Sequence, residues 1–568
     1  MSTLPHAHWP AGLPAHQTLP ETHLFYNLEV SATRYPDKAC MVFYDTPVGF
    51  ERCRRDAERL AGYLQQACGV RRGDRVLLDL QNSPQWLIAC YAIWRAGAVV
   101  VPVNPMNRTE ELRHIARDSG ARAAFVAQDL VEQMRPLLGA GEDADGETGG
   151  LRHLIVATYA DWLQAPTDLP VPDVVAAPRL ALSGAGVVAW NEALARGLAP
   201  AAVDFGADDM AAMPYTSGTT GQPKACVHTH RSVMATVVGG VRWFARGPDD
   251  VYLSPLPFFH VTGFSGSLHG PVYAGATIVV LARWDREAAG RAIERWRVTT
   301  WQLISTMLID FLADPAVTSR DLSSLTLLRG GGAAMPEAVG ARLKALVGLE
   351  YVEGYGMSET MAATHINPPQ RPKRQCLGIP LFDVDARIVD PATLAEVPAG
   401  EIGEIVIHGP QVMRGYWNHP QANAEAFVEI DGKRFLRTGD LAQVDEDGYF
   451  FMVDRLKRMI NAAGYKVWPA EVEAMMYRHP AIHEACVIGT HDARRGETVK
   501  ALVVLTPGFE GTTTEADLVA WCHAQMAPYK APRVIEFVAS LPKSGAGKVL
   551  WRELQARETA ASGGPAAR

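Results

Sequence analysis

Ten residues from Tyr215 to Lys224, Y-T-S-G-T-T-G-Q-P-K, carry the densest chemistry in the chain. They follow a short apolar segment, Met210 to Pro214, and have too little apolar surface to build a core. Glycine also adds backbone freedom that folding must remove. Such a run suits an anion. Gly218 and Gly221 let the backbone approach a ligand closely, and successive N–H groups can point inward. Thr216, Ser217, Thr219 and Thr220 add hydroxyl donors, and Lys224 adds a full positive charge. The matching ligand is a polyphosphate. A Walker-type loop needs Gly-Lys followed by Ser or Thr; here Pro223 precedes the lysine and Ala225 follows it, which excludes that pattern. A Ser/Thr/Gly surface linker seldom ends in a fixed Gly-x-Pro-Lys.

Seven further segments follow in order. They are Leu256–Phe264 (LPFFHVTGF), Leu328–Met335 (LRGGGAAM), Tyr355–Glu359 (YGMSE), Arg437–Leu441 (RTGDL), Asp454–Ile460 (DRLKRMI), Ala463–Val472 (AGYKVWPAEV) and Leu541–Lys548 (LPKSGAGK). Together with the first run, this set resembles the motifs of the acyl-adenylate-forming superfamily, which includes acyl-CoA synthetases, adenylation domains of peptide synthetases and beetle luciferases. The similarity extends from about Leu24 to Arg552 and is strongest to the acyl-CoA synthetase, or fatty-acid–CoA ligase, branch.

The resemblance implies two half-reactions. A carboxylate attacks the α-phosphorus of ATP to give acyl-AMP and pyrophosphate; a thiol, usually that of CoA, then takes the acyl group and expels AMP. It assigns Lys548 to bridging the carboxylate and the α-phosphate. Glu359 is assigned to Mg²⁺, with Thr220 as a second metal contact. Besides Thr216 to Gly221 and Lys224, the nucleotide is assigned to Tyr355 and Gly356, with Gly332, Ala333 and Ala334 as the floor opposite the tyrosine. Ser358 stands where the family usually has Thr. Asp440 would accept both ribose hydroxyls, and Arg455 would contact ribose or phosphate. Asp454 is implied as the hinge on which the small domain swings. Gly464, Tyr465 and Lys466 would face CoA. His260 would border the acid pocket, although a satisfied core histidine fits the position as well. Val261, Thr262, Gly263 and Gly331 would line that pocket. No aspartate stands where amino-acid-activating relatives hold the substrate's ammonium, which favours an uncharged, apolar acid. Two departures stand out: Ala225-Cys226 replaces a common Gly-Val, and Ser305 replaces a usual proline beside the acyl pocket.

These readings leave three functions to compare. The first is an ATP-dependent ligase for medium- or long-chain fatty acids. The second is an aryl- or other carboxylate–CoA ligase, or one that loads an acyl carrier. The third is a silent nucleotide-binding protein, which the joint presence of Lys548, Glu359, Asp440 and Lys224 disfavours. The expected small molecules are ATP, Mg²⁺, CoA and a carboxylic acid.

The elements that must position these residues read as α/β. At 568 residues the chain exceeds one core. Helical and strand signals alternate, for instance a helix at Asp56–Gln65 and buried strands at Arg75–Leu80 and Ala276–Leu281, implying helix-covered, largely parallel sheets. The expected division is a large N-terminal domain, 1–453, and a small mobile α+β domain, 454–568. Residues 138–200, rich in Gly, Ala, Asp and Pro, read as a variable surface region with local helix at Trp190–Leu198.

Hydrophobic residues make up 48% and charged residues 20% of the chain, ordinary for a globular enzyme. A net charge of -8 without a basic block argues against nucleic acid. Eight scattered cysteines with no C-x-x-C suggest neither a zinc site nor a disulfide framework. The most apolar stretch, Trp86 to Val103, is interrupted by Arg95, Gly97 and Pro102, so it reads as helix, glycine stop and strand rather than a membrane span. Met1 to Pro20 lacks the pattern of a signal peptide. A cytoplasmic location is expected, and a homodimer is compatible with the sequence.

Overall fold

A computed structural model describes residues 8–139, 150–216, 223–332, 334–462, 465–492, 496–543 and 549–562. The chain divides into two compact units: Met1–Asp385 with Ile407–Leu436, and Ala386–Val406 with Arg437–Arg568.

Two sheets dominate the first unit. The larger has nine strands, in the order Ile379–Pro380, Ala362–Ile366, Tyr351–Met357, Leu327–Gly331, Thr300–Leu303, Val251–Ser254, Thr277–Val280, Ala39–Phe43 and Thr46–Gly49. The pairs from Ala39–Phe43 to Tyr351–Met357 are parallel, and antiparallel strands close both edges. Parallel strands buried on both faces need continuous apolar runs, and Thr277–Val280 (TIVV) is buried at all four positions. The second sheet has seven strands, in the order His228–Thr229, Met210–Ala212, Val99–Pro102, Arg75–Asp79, Ala123–Ala127, His153–Ala157 and Val187–Ala189.

Helix Pro84–Arg95 shows how the sequence sets its own boundaries. Ser83 accepts a hydrogen bond from the Trp86 N–H at 3.2 Å, Pro84 occupies the first turn, and Gly97 takes φ 76° after the last turn. Every residue from Pro84 to Trp94 is buried, and strand Val99–Pro102 follows. The most apolar stretch is thus a core helix and core strand. Among the described residues no helix is long and apolar enough to cross a membrane. The eight cysteines are buried free thiols.

One expectation needs correction. Residues 138–200 are not simply a surface region, because His153–Ala157 and Val187–Ala189 extend the seven-stranded sheet. Leu154, Ile155, Val156 and Ala157 are buried. Their four-residue apolar run is masked by the flanking Gly/Asp/Pro composition, and a run that short lacks a periodicity to detect. The local helix does form, over Trp190–Ala195.

The second unit contains a five-stranded sheet built on the antiparallel pair Ile482–Asp492 and Gly496–Leu505, with Val534–Phe537 parallel to the latter. Helices Pro469–Met476 and Glu515–Gln525 supply Val472, Met476, Leu518 and Cys522 to its core. Strands and helices both form in this segment, as expected of an α+β domain.

Candidate active site

The glycine-rich run begins and ends on paired strands. Tyr215–Thr216 lies antiparallel to Lys224–Ala225, with Lys224 opposite Thr216. Ser217, Gly218, Thr219, Thr220 and Gly221 lie outside the described residues, but their two anchors are held side by side. The anchors are fixed from outside: the Tyr215 hydroxyl donates to Asp118 Oδ2 at 2.6 Å, and His114 Nε2 lies 2.9 Å from the Pro223 carbonyl. Ala225 and Cys226, which depart from the common family pattern, are fully buried.

Lys224 leads directly to the metal candidate. Its Nζ stands 5.3 Å from the centroid of the Tyr416 ring, and the Tyr416 hydroxyl donates to Glu359 Oε1 at 2.8 Å. Glu359 is 8% exposed, and its carbonyl accepts from Met413 N at 2.8 Å. Burial and the Glu359 carboxylate both push the Tyr416 phenol up, so Tyr416 stays a neutral donor. The adjacent Ser358 carbonyl lies 2.8 Å from Nε2 of His228. Burial lowers that imidazole to about 4, so it is neutral near pH 7. Sequence reasoning missed Tyr416, His228 and Asp118. Their signal is pairing across dozens or hundreds of residues, which spacing does not reveal.

The expected base-binding segments are also adjacent. Gly331 pairs with Gly354 across parallel strands, immediately before Gly332 and Tyr355. A Cβ on Gly331 would lie 2.1 Å from the Gly354 carbonyl oxygen, and one on Gly356 would lie 1.7 Å from that of Ala362. Both glycines therefore permit strand approach that no side chain would allow. Tyr355 is 7% exposed, its ring 5.7 Å from that of His365. Ala334 is exposed, and Ala333 lies outside the described residues.

Beneath these strands, Glu353 has unusual electrostatics. Its Oε1 accepts from Gln375 N at 2.8 Å and its Oε2 from Met335 N at 3.3 Å. Burial nevertheless raises it from 4.5 to about 7, the two N–H donors offsetting only part of the cost. The folded state thus holds this proton more tightly than the unfolded state. Stability from this group is fully present below pH 4.5 and is lost as pH rises to about 7. At about 1.4 kcal/mol per unit, the loss is on the order of 3 kcal/mol. Glu353→Gln should therefore gain melting temperature relative to wild type between pH 5 and pH 8. Parallel melting curves for the two proteins across that range would contradict this reading.

The segment expected to border the acid pocket is clamped by Asn82. Its Nδ2 donates to the Leu256 carbonyl at 2.8 Å, and its Oδ1 accepts from Phe258 N at 2.8 Å. His260 is half-buried, and its Nδ1 accepts from Thr262 N at 3.3 Å. A π-helical segment, Gly263–His269, follows. Its wider turn is a feature often found at functional sites. Thr262 lines a cavity with Thr236, Tyr252, Gln302, Arg329 and Leu381, whose free interior is about 40 Å³. Val261, Gly263 and Gly331 are not among its walls. Ser305 opens helix Ser305–Ala313, separated from strand Thr300–Leu303 by Ile304 alone.

In the second unit, Asp440 and Arg455 face each other on antiparallel strands, and Arg455 Nε lies 3.0 Å from Asp440 Oδ1. Asp440 is 1% exposed. Asp454 is 3% exposed and accepts from Arg455 N at 2.6 Å and from Ala470 N at 2.7 Å. The second bond caps helix Pro469–Met476. Burial raises the Asp454 carboxyl against the nearby Arg458, which is itself paired with Glu473. Tyr465 and Lys466 lie on strand Tyr465–Val467, paired with Ile460–Ala462. Gly464 and Lys548 lie outside the described residues. Lys543 and Val549, which flank the loop of Lys548, form an antiparallel bridge.

Residues 28–417 match the family of AMP-binding enzymes, and residues 471–548 match the AMP-binding enzyme C-terminal domain. The chain belongs to the AMP-binding enzyme family. Over 97% of its length, this AMP-binding enzyme is 34% identical to a long-chain-fatty-acid–CoA ligase of Bacillus subtilis, covering 98% of that protein. It is 35% identical to a feruloyl-CoA synthase of Amycolatopsis over 90% of its own chain and 94% of that one. ATP-bound MatB from Rhodopseudomonas palustris superposes with a TM-score of 0.82 at 27% identity, covering 95% of this chain and 99% of that one. The resemblance read from the motifs therefore holds, and the fold is the adenylate-forming one.

For magnesium, the donor chemistry of the first unit is suitable. Glu359 offers a hard carboxylate oxygen, linked through Tyr416 to the lysine that ends the glycine-rich run. Among the described residues no group of three His, Cys, Asp or Glu could hold a metal by itself. One carboxylate completed by substrate phosphates is the usual Mg²⁺ arrangement.

Proposed function

We propose that this enzyme is an ATP-dependent fatty-acid–CoA ligase acting on a medium- or long-chain acid through an acyl-AMP intermediate. The observation that carries the reading is the Lys224–Tyr416–Glu359 cluster, which sets a cation and a buried carboxylate together at the end of the phosphate run. A weak anionic nucleophile must approach a polyanion, and fixed charge offsets that repulsion without reorganisation.

In the first step a carboxylate oxygen bonds to the α-phosphorus, and the bond to the bridging oxygen of pyrophosphate breaks. Lys224 and the loop N–H groups bind the phosphates, Glu359 provides the Mg²⁺ ligand, and Lys548 steadies charge between the two reactants. Bound Mg²⁺ would supply charge neutralisation on the phosphates. Tyr355 and the Gly332–Ala334 segment flank the base, and Asp440 accepts the ribose hydroxyls. In the second step the CoA sulfur bonds to the acyl carbon and AMP leaves. The small domain turns about Asp454 between the steps, withdrawing Lys548 and presenting Gly464, Tyr465 and Lys466 to the pantetheine. The proposal places the enzyme in the cytoplasm, where ATP and CoA are supplied.

A second reading, an aryl-CoA ligase, is favoured by the 35% identity to a feruloyl-CoA synthase. The cavity beside Thr262, about 40 Å³, holds roughly three water-sized groups, so an alkyl chain and an aromatic ring alike require its walls to move. A panel of alkyl and aryl acids, assayed by exchange of labelled pyrophosphate into ATP, tests both readings. Exchange with benzoates alone would move the assignment to aryl acids; exchange with no acid would defeat the ligase reading.

The CoA-facing loop makes a separate prediction. Gly464→Leu should leave pyrophosphate exchange intact and impair conversion of supplied acyl-AMP to thioester, because the channel needs close backbone approach. Impaired exchange with normal thiolysis would contradict the assignment.

A further inference from the structure

The cavity beside Thr262 has one wall residue that an alkyl tail does not explain. Three of its polar walls, Thr236, Ser265 and Gln302, have hydrogen-bond partners. Thr236 Oγ1 donates to Ser265 Oγ at 3.2 Å, and Ser265 Oγ donates to the Met361 carbonyl at 3.1 Å. Gln302 Oε1 accepts from Ser267 Oγ at 3.1 Å. Arg329 differs. Its Nη2 donates to the Gly266 carbonyl at 3.0 Å, and its guanidinium stands 4.9 Å from the Phe244 ring centroid. Its Nε is buried without a hydrogen-bond partner, and among the described residues no carboxylate lies within ion-pair distance. The neighbouring Arg246 adds to the positive field and is itself paired with Asp250 at 2.9 Å.

A guanidinium in such a place carries a desolvation cost that one carbonyl and one aromatic face do not offset. An apolar tail entering the cavity would deepen that cost by keeping solvent away from the guanidinium. A planar carboxylate would instead meet the fork of donors that guanidinium presents and supply the missing counter-charge. Thr262, one of the four residues assigned to the acid pocket, lines the same cavity as Arg329, so a group bound at the guanidinium lies beside the acid-pocket segment.

We propose that the acid activated by this enzyme carries a second carboxylate at its far end, and that Arg329 receives it. Arg329 is then the specificity-determining residue of the acyl pocket, and the substrate class is the ω-carboxy fatty acids rather than simple ones. This rests on the ligase reading above and narrows its substrate. The second carboxylate takes no part in bond making: it remains intact while the first is adenylated and transferred to CoA.

The test compares matched mono- and dicarboxylic acids, from butanoate and butanedioate to dodecanoate and dodecanedioate, by thioester formation and pyrophosphate exchange. The wild type should favour the diacid by about tenfold or more in kcat/KM at its best chain length, since a site built for a polar group rejects the analogue lacking it. Arg329→Met should invert that preference, and Arg329→Lys should restore part of it. A purely packing role for Arg329 would move turnover of both acids together and leave their ratio unchanged, which would overturn the proposal. A wild type that prefers the monoacid at every chain length would overturn it without recourse to any variant, while leaving the ligase reading intact. Exchange with no acid of either series or of the aryl panel would bring down the ligase reading itself, and this inference with it.

Discussion

Lys548→Ala should abolish acyl-AMP formation while the variant still converts supplied acyl-AMP to thioester. The reacting partners of the first step are both anionic, so a cation between them acts where charge is most concentrated. A unit charge pair at about 4 Å is worth roughly 4 kcal/mol at a near-surface effective dielectric. Removing one preorganised transition-state donor typically costs about two to three orders of magnitude in rate. The second step begins from a neutral carbonyl bearing an AMP leaving group and does not need this cation. The loop is also suited to delivering a cation, since Gly545 and Gly547 precede the position and the Lys543–Val549 bridge fixes both ends. Pyrophosphate exchange and thiolysis of synthetic acyl-AMP should be measured on the same preparation. Equal loss in both would contradict alternation of the small domain.

The next largest effect is expected at Glu359. Glu359→Gln removes the carboxylate charge while leaving an oxygen that accepts from the Tyr416 hydroxyl, so the cluster should fold as before. Pyrophosphate exchange should fall by at least the factor of about ten to a hundred typical of losing a partner one shell further from a metal, and part of the loss should return at raised Mg²⁺. The melting temperature should stay close to that of the wild type. A loss that ignores Mg²⁺ concentration, or unchanged exchange, would show that Glu359 serves structure and not the metal.

The two parts of the account were legible to different degrees. Phosphate binding needs glycines, hydroxyls and a lysine packed into one short run, so the Tyr215–Lys224 segment stands out in a single sequence. The core helix and strand of Trp86–Val103 are legible for a similar reason, since apolar run, glycine stop and apolar run are contiguous. The contribution of Tyr416 was not legible. It meets Glu359 across 57 residues, and nothing in the local sequence marks a tyrosine as a partner rather than a packed ring. Arg329 was hidden differently. It sits inside a recognisable glycine-rich segment, but a strand alternates its faces, and only the cavity it shares with Gln302 and Tyr252 shows where this arginine faces. The strands at His153–Ala157 and Val187–Ala189 escaped because composition averaged over sixty residues hid two very short apolar runs. Roles assigned to Ser217–Gly221, Ala333, Gly464 and Lys548 rest on sequence.

Pairing within the second unit also bears on motion. Asp454 ties its own strand to the start of helix Pro469–Met476, and its neighbour Arg455 reaches Asp440. A backbone rotation at 454 would change the geometry of both connections, so a change there would be felt at the helix carrying Val472 and at the proposed ribose ligand. Hinges commonly occupy such strand-terminal positions, where a few backbone angles absorb the motion.

The central claim is that a carboxylate oxygen of the acid becomes bonded to the α-phosphorus of ATP. The most direct measurement supplies the acid with heavy oxygen in its carboxylate, together with ATP, Mg²⁺ and CoA, and weighs the nucleotide product. The account predicts AMP carrying one heavy oxygen and unlabelled pyrophosphate. Unlabelled AMP, or label appearing in orthophosphate with ADP as the nucleotide product, would contradict it.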